Sequence, residues 1–242
     1  MDETFCRLAR VIGANALERL KNAHVVLFGV GGVGGFAAEA LARSGVGGIT
    51  LIDGDDVARS NINRQVIALN STIGRSKVEV ARERLLDINP NMRVNALQQV
   101  FLPGGEVPFG KDVSYVIDAI DTVAAKVELA RVCREMDVPL ISCMGTGNKL
   151  DPTLLRVSDI FSTEVCPLCR VMRHELRKRG IDRLKVVYSP EPPRTPIDDG
   201  EQAQASRRSV PGSTMFVPPV AGIMLAREVV LSIVGDALAN AR

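Results

Sequence analysis

Eight polar residues stand out in the first half of the sequence: Asp53, Asp55, Asn61, Arg64, Gln65, Lys77, Asp118 and Asp121. Two cations among several carboxylates and amides suit triphosphate chemistry. Arg64 and Lys77 can offset charge that develops on phosphate oxygens, and Asp121, aided by Asp118, can hold a hard cation such as Mg2+. Each residue also has a plainer use, Asn61 and Asn63 in turns, Lys77 capping a helix, Asp118 ending a strand. What joins them is their place at the carboxyl ends of successive expected strands, where open α/β sheets bind ligands.

The elements that must position them are legible. Residues 24–34, HVVLFGVGGVG, read as an apolar strand running into a glycine turn that opens a helix over 36–44, and residues 48–53, GITLID, form the next strand. This is a nucleotide-binding βαβ unit. Gly29 permits the tight turn, Gly31 and Gly32 lie where backbone amides approach a phosphate, and Gly34 lets the helix pack closely on the sheet. Asp53 stands where it accepts hydrogen bonds from ribose hydroxyls. The glycines do not say which nucleotide is bound, but no GxxxxGK[ST] sequence is present, which argues against an ordinary P-loop.

Further along, Val78, Ala81, Leu85 and Ile88 form one side of a helix that ends at Asn89-Pro90. Strands are expected over 93–100, 113–117 and 139–143, with a helix over 124–136 before the last. The alternation predicts a single domain over residues 1–242: a doubly wound, Rossmann-like, mainly parallel α/β sheet with an extended C-terminal portion. Residues 1–22 read as a helical arm with Leu8, Val11, Ile12, Leu17 and Leu20 on its apolar face. A helix over 166–180 turns Leu168, Val171, Met172 and Leu176 inward and Arg170, Arg173, Arg177 and Lys178 outward. A strand over 185–188 follows, then a proline-rich polar stretch, 189–208, expected to be a mobile crossover loop. Residues 220–239 read as a core helix rather than a membrane segment, because Arg227 and Glu228 interrupt the apolar run at a cost of several kcal/mol in a bilayer.

Composition sets limits. With 242 residues, 46% apolar and 24% charged, the chain has an ordinary globular make-up, and a net charge of +2 leaves nucleic-acid contact to local clusters such as the basic residues of 170–185. Five scattered cysteines and a start without signal-peptide character point to a reducing cytoplasm. Cys166-Pro-Leu-Cys169 is the one CxxC, half of what a four-thiolate zinc site needs; a redox pair or an acyl-accepting thiol are its other readings, with Cys166 the better candidate.

Taken as an ordered set, GVGGVG at 29–34, Asp53-Gly-Asp55, Ser60-Asn-Ile-Asn-Arg-Gln65, Gly74-Arg-Ser-Lys77 and Asp118-Ala-Ile-Asp121 resemble the ThiF/MoeB/HesA superfamily of ubiquitin-activating-type adenylating enzymes. Residues 37–45, 87–90, 144–152 and 166–173 are most similar to the branch that dehydrates threonylcarbamoyladenosine in tRNA. The resemblance implies that ATP adenylates the threonyl carboxylate on adenosine 37 and that ring closure follows with net loss of water. It implies Asp53 on the ribose, Asn61, Arg64 and Lys77 on the phosphates, Asp55 and Gln65 in the same site, and Asp121 on Mg2+. It implies a homodimer in which an arginine from the partner subunit, Arg7 before Arg10, reaches the ATP. Arg170, Arg173, Arg177 and Lys178 are then the expected tRNA contacts. A monovalent cation at the 145–148 turn and a sulfur-relay partner protein are further expectations. Two other readings share parts of this pattern. Adenylation of a ubiquitin-like sulfur carrier's C-terminal glycine would go with a second CxxC, and an NAD-dependent oxidoreductase would leave Arg64, Lys77 and Asp121 without a task.

Overall fold

The computed structural model describes residues 3–195 and 211–238. Its centre is a sheet of short strands, β1 (His24–Phe28), β2 (Gly48–Ile52), β3 (Arg93–Leu97), β4 (Tyr115–Asp118), β5 (Leu140–Cys143), β6 (Arg156–Asp159) and β7 (Lys185–Tyr188). Of these, β1, β2, β4, β5 and β7 are apolar and largely buried, as parallel strands under helices must be, while the edge strands β3 and β6 are more exposed. The sheet order is β3-β2-β1-β4-β5-β7-β6, parallel throughout except for the β6–β7 pair. The strand order reverses between β1 and β4, and the crevice at their carboxyl ends is the place where open α/β sheets bind ligands.

Helices α3 (Gly34–Arg43), α4 (Lys77–Ile88) and α5 (Val123–Met136) link these strands, while α6 (Pro167–Lys178) precedes β7 and α7 (Val217–Val234) closes the described chain. The amino-terminal arm is two helices, α1 (Cys6–Ile12) and α2 (Ala14–Asn22), because Gly13 at φ +84° breaks it. Of the expected apolar face, Ile12, Leu17 and Leu20 are buried, but Val11 is 74% exposed, and Phe5 and Ala9 are buried with Ile12.

Two further expectations need correction, and one strand was not expected. The last helix begins at Val217, with Pro218 and Pro219 in its first turn, where a missing N–H costs nothing. The span Val217–Ala237 is apolar enough to cross a membrane by length and composition, but half of it is buried inside the fold, against α3 and the β5–β7 side of the sheet. On α6 the inward stripe is Cys169, Met172 and Leu176, leaving Val171 exposed. The edge strand β6 was invisible in a segment as short and polar as RVSD. Of the expected crossover at 189–208, residues 196–208 lie outside the described residues; its start is anchored, since Glu191 accepts hydrogen bonds from the Leu150 and Asp151 amides.

Candidate nucleotide site

β1 ends where Gly29, at φ +88°, passes so close to the Ala119 carbonyl that a Cβ would lie 2.6 Å from its oxygen. A Cβ on Gly34 would lie 1.8 Å from the Gly29 carbonyl oxygen, so the turn has no room for a side chain there. At Gly31, among the described residues beyond its chain neighbours, a built Cβ would meet only Gln65 Nε2 within 4 Å, at 3.9 Å. Gln65 is buried, and its Oε1 has no hydrogen-bond partner among the described residues, a cost that a bound hydrogen-bond donor would remove.

Asp53, just past β2, is already engaged. Its Oδ2 accepts the Val30 amide at 2.7 Å and its Oδ1 accepts the Asp55 amide at 2.9 Å, which fixes the glycine turn to the end of β2. The lone pairs that remain can still accept ribose hydroxyls. Residues 55–57 then run antiparallel to 74–77, with a bridge between Asp56 and Ser76 and the Lys77 amide donating to the Asp55 carbonyl. This pairing places Lys77 at the first turn of α4, where its buried side chain reaches Asp55 Oδ2 at 2.6 Å and stands 3.9 Å from Asp53 Oδ1. Asn61 is buried and accepts the Ala58 amide through Oδ1, a local turn bond. Arg64 lies over Gly32, whose Cβ position is 3.3 Å from Arg64 Cγ, and its guanidinium donates to the Ser60 carbonyl and Asn63 Oδ1 at 2.8 Å each.

Asp118 differs from the reading that put it beside a metal. It is fully buried, paired with Lys126 Nζ at 3.0 Å, and bonded to the Ser142 hydroxyl and the Ile120 amide. Lys126 also donates to the Cys143 carbonyl at 2.7 Å, so the network ties the end of β4 to the end of β5. Neither Lys126 nor Ser142 carried a sequence signal beyond its distance from Asp118. Asp121, on the turn that touches Gly29, is exposed and accepts a hydrogen bond from the Thr122 hydroxyl at 3.3 Å. Among the described residues no three His, Cys, Asp or Glu side chains gather around a common point. A lone hard carboxylate suits Mg2+, which takes most of its ligands from phosphate and water.

Other expected residues lie elsewhere. Phe5 packs by Gly45, at the carboxyl end of α3, whereas the glycine turn is at its amino end. The ten residues of α3 span about 15 Å, so the exposed Arg7 beside Phe5 is not brought to the glycine turn of its own chain. On α6, Arg173 turns back to donate to the Thr163 carbonyl at 2.9 Å, and Lys178 pairs with Glu175 at 2.9 Å. Arg177 lies 5.1 Å over the Phe161 ring and Arg170 is exposed, so the outward basic face is narrower than its spacing suggested. The Met144-to-Lys149 turn faces the nucleotide loop through residues 212–213: Asn148 Oδ1 accepts the Gly212 amide, and Asn63 donates to the Ser213 carbonyl. Two surface concavities, of about 620 and 740 Å3, lie away from this edge, one at the strands' amino ends by Ala23, Ser114 and Pro139, the other between α5 and the β6–β7 edge.

Comparison with known proteins shows the family of the chain and its fold. The ThiF family model matches residues 5–241. The Bacillus subtilis tRNA threonylcarbamoyladenosine dehydratase is 44% identical over 241 residues, covering 96% of this chain and 95% of that one. The structure of the Escherichia coli dehydratase in complex with ATP matches with a TM-score of 0.84 and 34% identity, over 97% of this chain and 95% of that one. The Escherichia coli sulfur carrier protein ThiS adenylyltransferase is 33% identical over 156 residues, 62% of each chain.

Proposed function

Since the chain belongs to the ThiF family, we propose that it uses ATP to dehydrate threonylcarbamoyladenosine at position 37 of tRNA by way of an acyl-adenylate. The observation that carries this reading is the match to a dehydratase along nearly the full length of both chains, where the sulfur-carrier adenylyltransferase matches over 62% of each.

In this reading the threonyl carboxylate attacks the α-phosphorus of ATP and pyrophosphate leaves. Intramolecular attack on the activated acyl carbon then closes the ring and expels AMP, which carries away the carboxylate oxygen lost as water. The amides at Gly31 and Gly32 receive the phosphates, with the Gln65 side-chain nitrogen as a further donor beside them. Arg64 and Lys77 turn from Ser60, Asn63 and Asp55 toward phosphate oxygens, taking up charge as pyrophosphate departs. Asn61 holds the loop that carries Arg64 and lies toward the same phosphates, Asp53 accepts the ribose hydroxyls, and Asp55 releases Lys77. Asp121 holds Mg2+, which when bound lowers the charge repulsion on the phosphates.

Arg7 acts on the ATP of a second subunit, which makes the active form a homodimer. Arg170 and Arg177 are the open cations for tRNA phosphates, with Arg173 and Lys178 behind them, and such contacts are salt-sensitive. A cytoplasmic location, a monovalent cation at the 145–148 turn and a sulfur-relay partner belong to the same proposal.

The test is mass spectrometry of nucleosides from threonylcarbamoyladenosine-containing tRNA incubated with the protein, Mg2+ and ATP. ATP-dependent loss of one water from the modified nucleoside, abolished by Asp121→Ala, is the expected result. Unchanged tRNA, with pyrophosphate exchange supported instead by a carrier protein ending in diglycine, would move the assignment to sulfur-carrier activation.

A further inference from the structure

The side chain of Asn148, on the turn that follows β5, has no task in the proposed reaction, yet two distant segments meet on this residue. Its carbonyl accepts the Arg194 amide at 2.8 Å. Its own amide donates to the Gly212 carbonyl at 2.8 Å, and its Oδ1 accepts the Gly212 amide at 2.7 Å, a reciprocal pair. Asn148 stands at φ +59°, a left-handed backbone that asparagine tolerates better than most residues with a side chain.

Packing reinforces these bonds. A Cβ on the neighbouring Gly147 would lie 3.0 Å from Pro211 Cβ, so the 211–212 segment sits directly on the turn. Residues 189–194 are laced to 148–151 as well: Lys149 Nζ donates to the Ser189 carbonyl at 2.6 Å, and the Leu150 and Asp151 amides donate to Glu191.

From Gly212 the hydrogen bonds run on into the nucleotide loop. Asn63 Nδ2 donates to the Ser213 carbonyl at 2.9 Å, and Asn63 Oδ1 accepts Arg64 Nη1 at 2.8 Å. A few residues on, Pro218 Cβ lies 3.4 Å from the Cβ position of Gly32, the position that Arg64 also covers. Residues 213–218 therefore border the nucleotide loop at both ends.

We propose that Asn148 is a positioning residue of the nucleotide site: it fixes Gly212 and Ser213 so that Asn63 holds the Arg64 guanidinium in readiness for the triphosphate. The proposal rests on the reading of Arg64 as a phosphate ligand. An arginine side chain has much rotamer freedom to lose on binding, and a partner that is itself fixed removes part of that freedom before ATP arrives. Asn63 is exposed, and Ser213 is a partner that orients its amide; Ser213 is held in turn by the doubly bonded Gly212 beside it. A clamp that served the fold alone would change stability and leave ATP affinity as it was.

The test is calorimetric titration of the full-length protein with ATP and Mg2+, with thermal melts without ATP beside each variant. Asn148→Gly keeps the left-handed backbone and both backbone bonds and loses the Oδ1 acceptor. It should raise the Kd for ATP about 3–10-fold, the range of one lost hydrogen bond. Asn148→Asp, which keeps the acceptor, should stay near the wild-type value. In an Arg64→Ala background Asn148→Gly should add nothing, because the clamp acts through Arg64. Asn63→Ala cuts the same link from the nucleotide side and should weaken ATP binding at least as much, which keeps the test open should Asn148→Gly fail to fold. Wild-type affinity in Asn148→Gly, or a loss that recurs in full on Arg64→Ala, overturns the proposal alone. A wild-type protein that binds no ATP overturns the reading of Arg64 and the proposal with it.

Discussion

Asp53 accepts the Val30 amide at 2.7 Å, so the carboxylate that ends one strand closes the glycine turn that follows its neighbour. It is therefore a fastener of the turn as well as a candidate ribose acceptor. Asp53→Asn keeps one carbonyl oxygen for Val30 but loses the second acceptor, which serves the Asp55 amide. Its kcat/KM for ATP should fall about 10–100-fold, which is about 1.4–2.7 kcal/mol, with a raised KM and an intact fold. Asp53→Ala leaves amide donors unpaired and should also lower stability by about 1–3 kcal/mol. Steady-state kinetics beside urea titrations separate the two effects.

Gly222 on α7 admits the start of α3 so closely that a Cβ would lie 2.2 Å from the Val33 carbonyl oxygen. The obstacle is backbone, which cannot rotate away. Gly222→Ala should cost about 1–3 kcal/mol and, because Val33 belongs to the glycine turn, weaken ATP binding as well. Thermal melts with and without ATP would show a lower melting temperature and a smaller ATP-induced rise.

The fully buried Lys126–Asp118 pair is a structural commitment. Lys126→Met strands a carboxylate in the interior and should cost about 3–5 kcal/mol. Adding Asp118→Leu should return much of that loss. A double-mutant cycle by urea denaturation measures the coupling, and a double variant no more stable than the single one would contradict it.

Stability should also depend on pH through the thiol pair. The folded state holds Cys166 below its unfolded value, so at pH between the two the unfolded chain binds more protons and stability rises with pH. Cys169 is raised, so its contribution is lost once the pH passes the unfolded thiol value of about 8.5. The urea midpoint of the reduced protein should therefore climb from about pH 6 to about pH 8 and then turn down. Cys166→Ser should flatten the climb.

Sequence pattern carried much of the architecture, since apolar runs such as VVLF and ITLI, separated by glycine turns and periodic helices, admit few other arrangements. Asp53, Arg64, Gln65 and Lys77 could be gathered because all lie on loops or at a helix start at one end of the strands. Asp118 could not be told from Asp121 in the same way. Which of them turns inward depends on Lys126, a turn further along α5, and on Ser142, a strand away. The narrowing of the basic face on α6 was equally hidden, because Arg173 is held by Thr163, outside the helix itself. Edge strand β6 has too few residues for alternation to show.

The placement of Arg7 by Phe5, at the far end of α3 from its own glycine turn, has a genetic corollary. Two inactive variants, Arg7→Ala and Lys77→Met, should rescue one another when their subunits are exchanged in equal amounts. Half of the randomly paired dimers are mixed, and each mixed dimer rebuilds one site of two, so about a quarter of wild-type activity should return. An arginine serving its own subunit would give no such complementation.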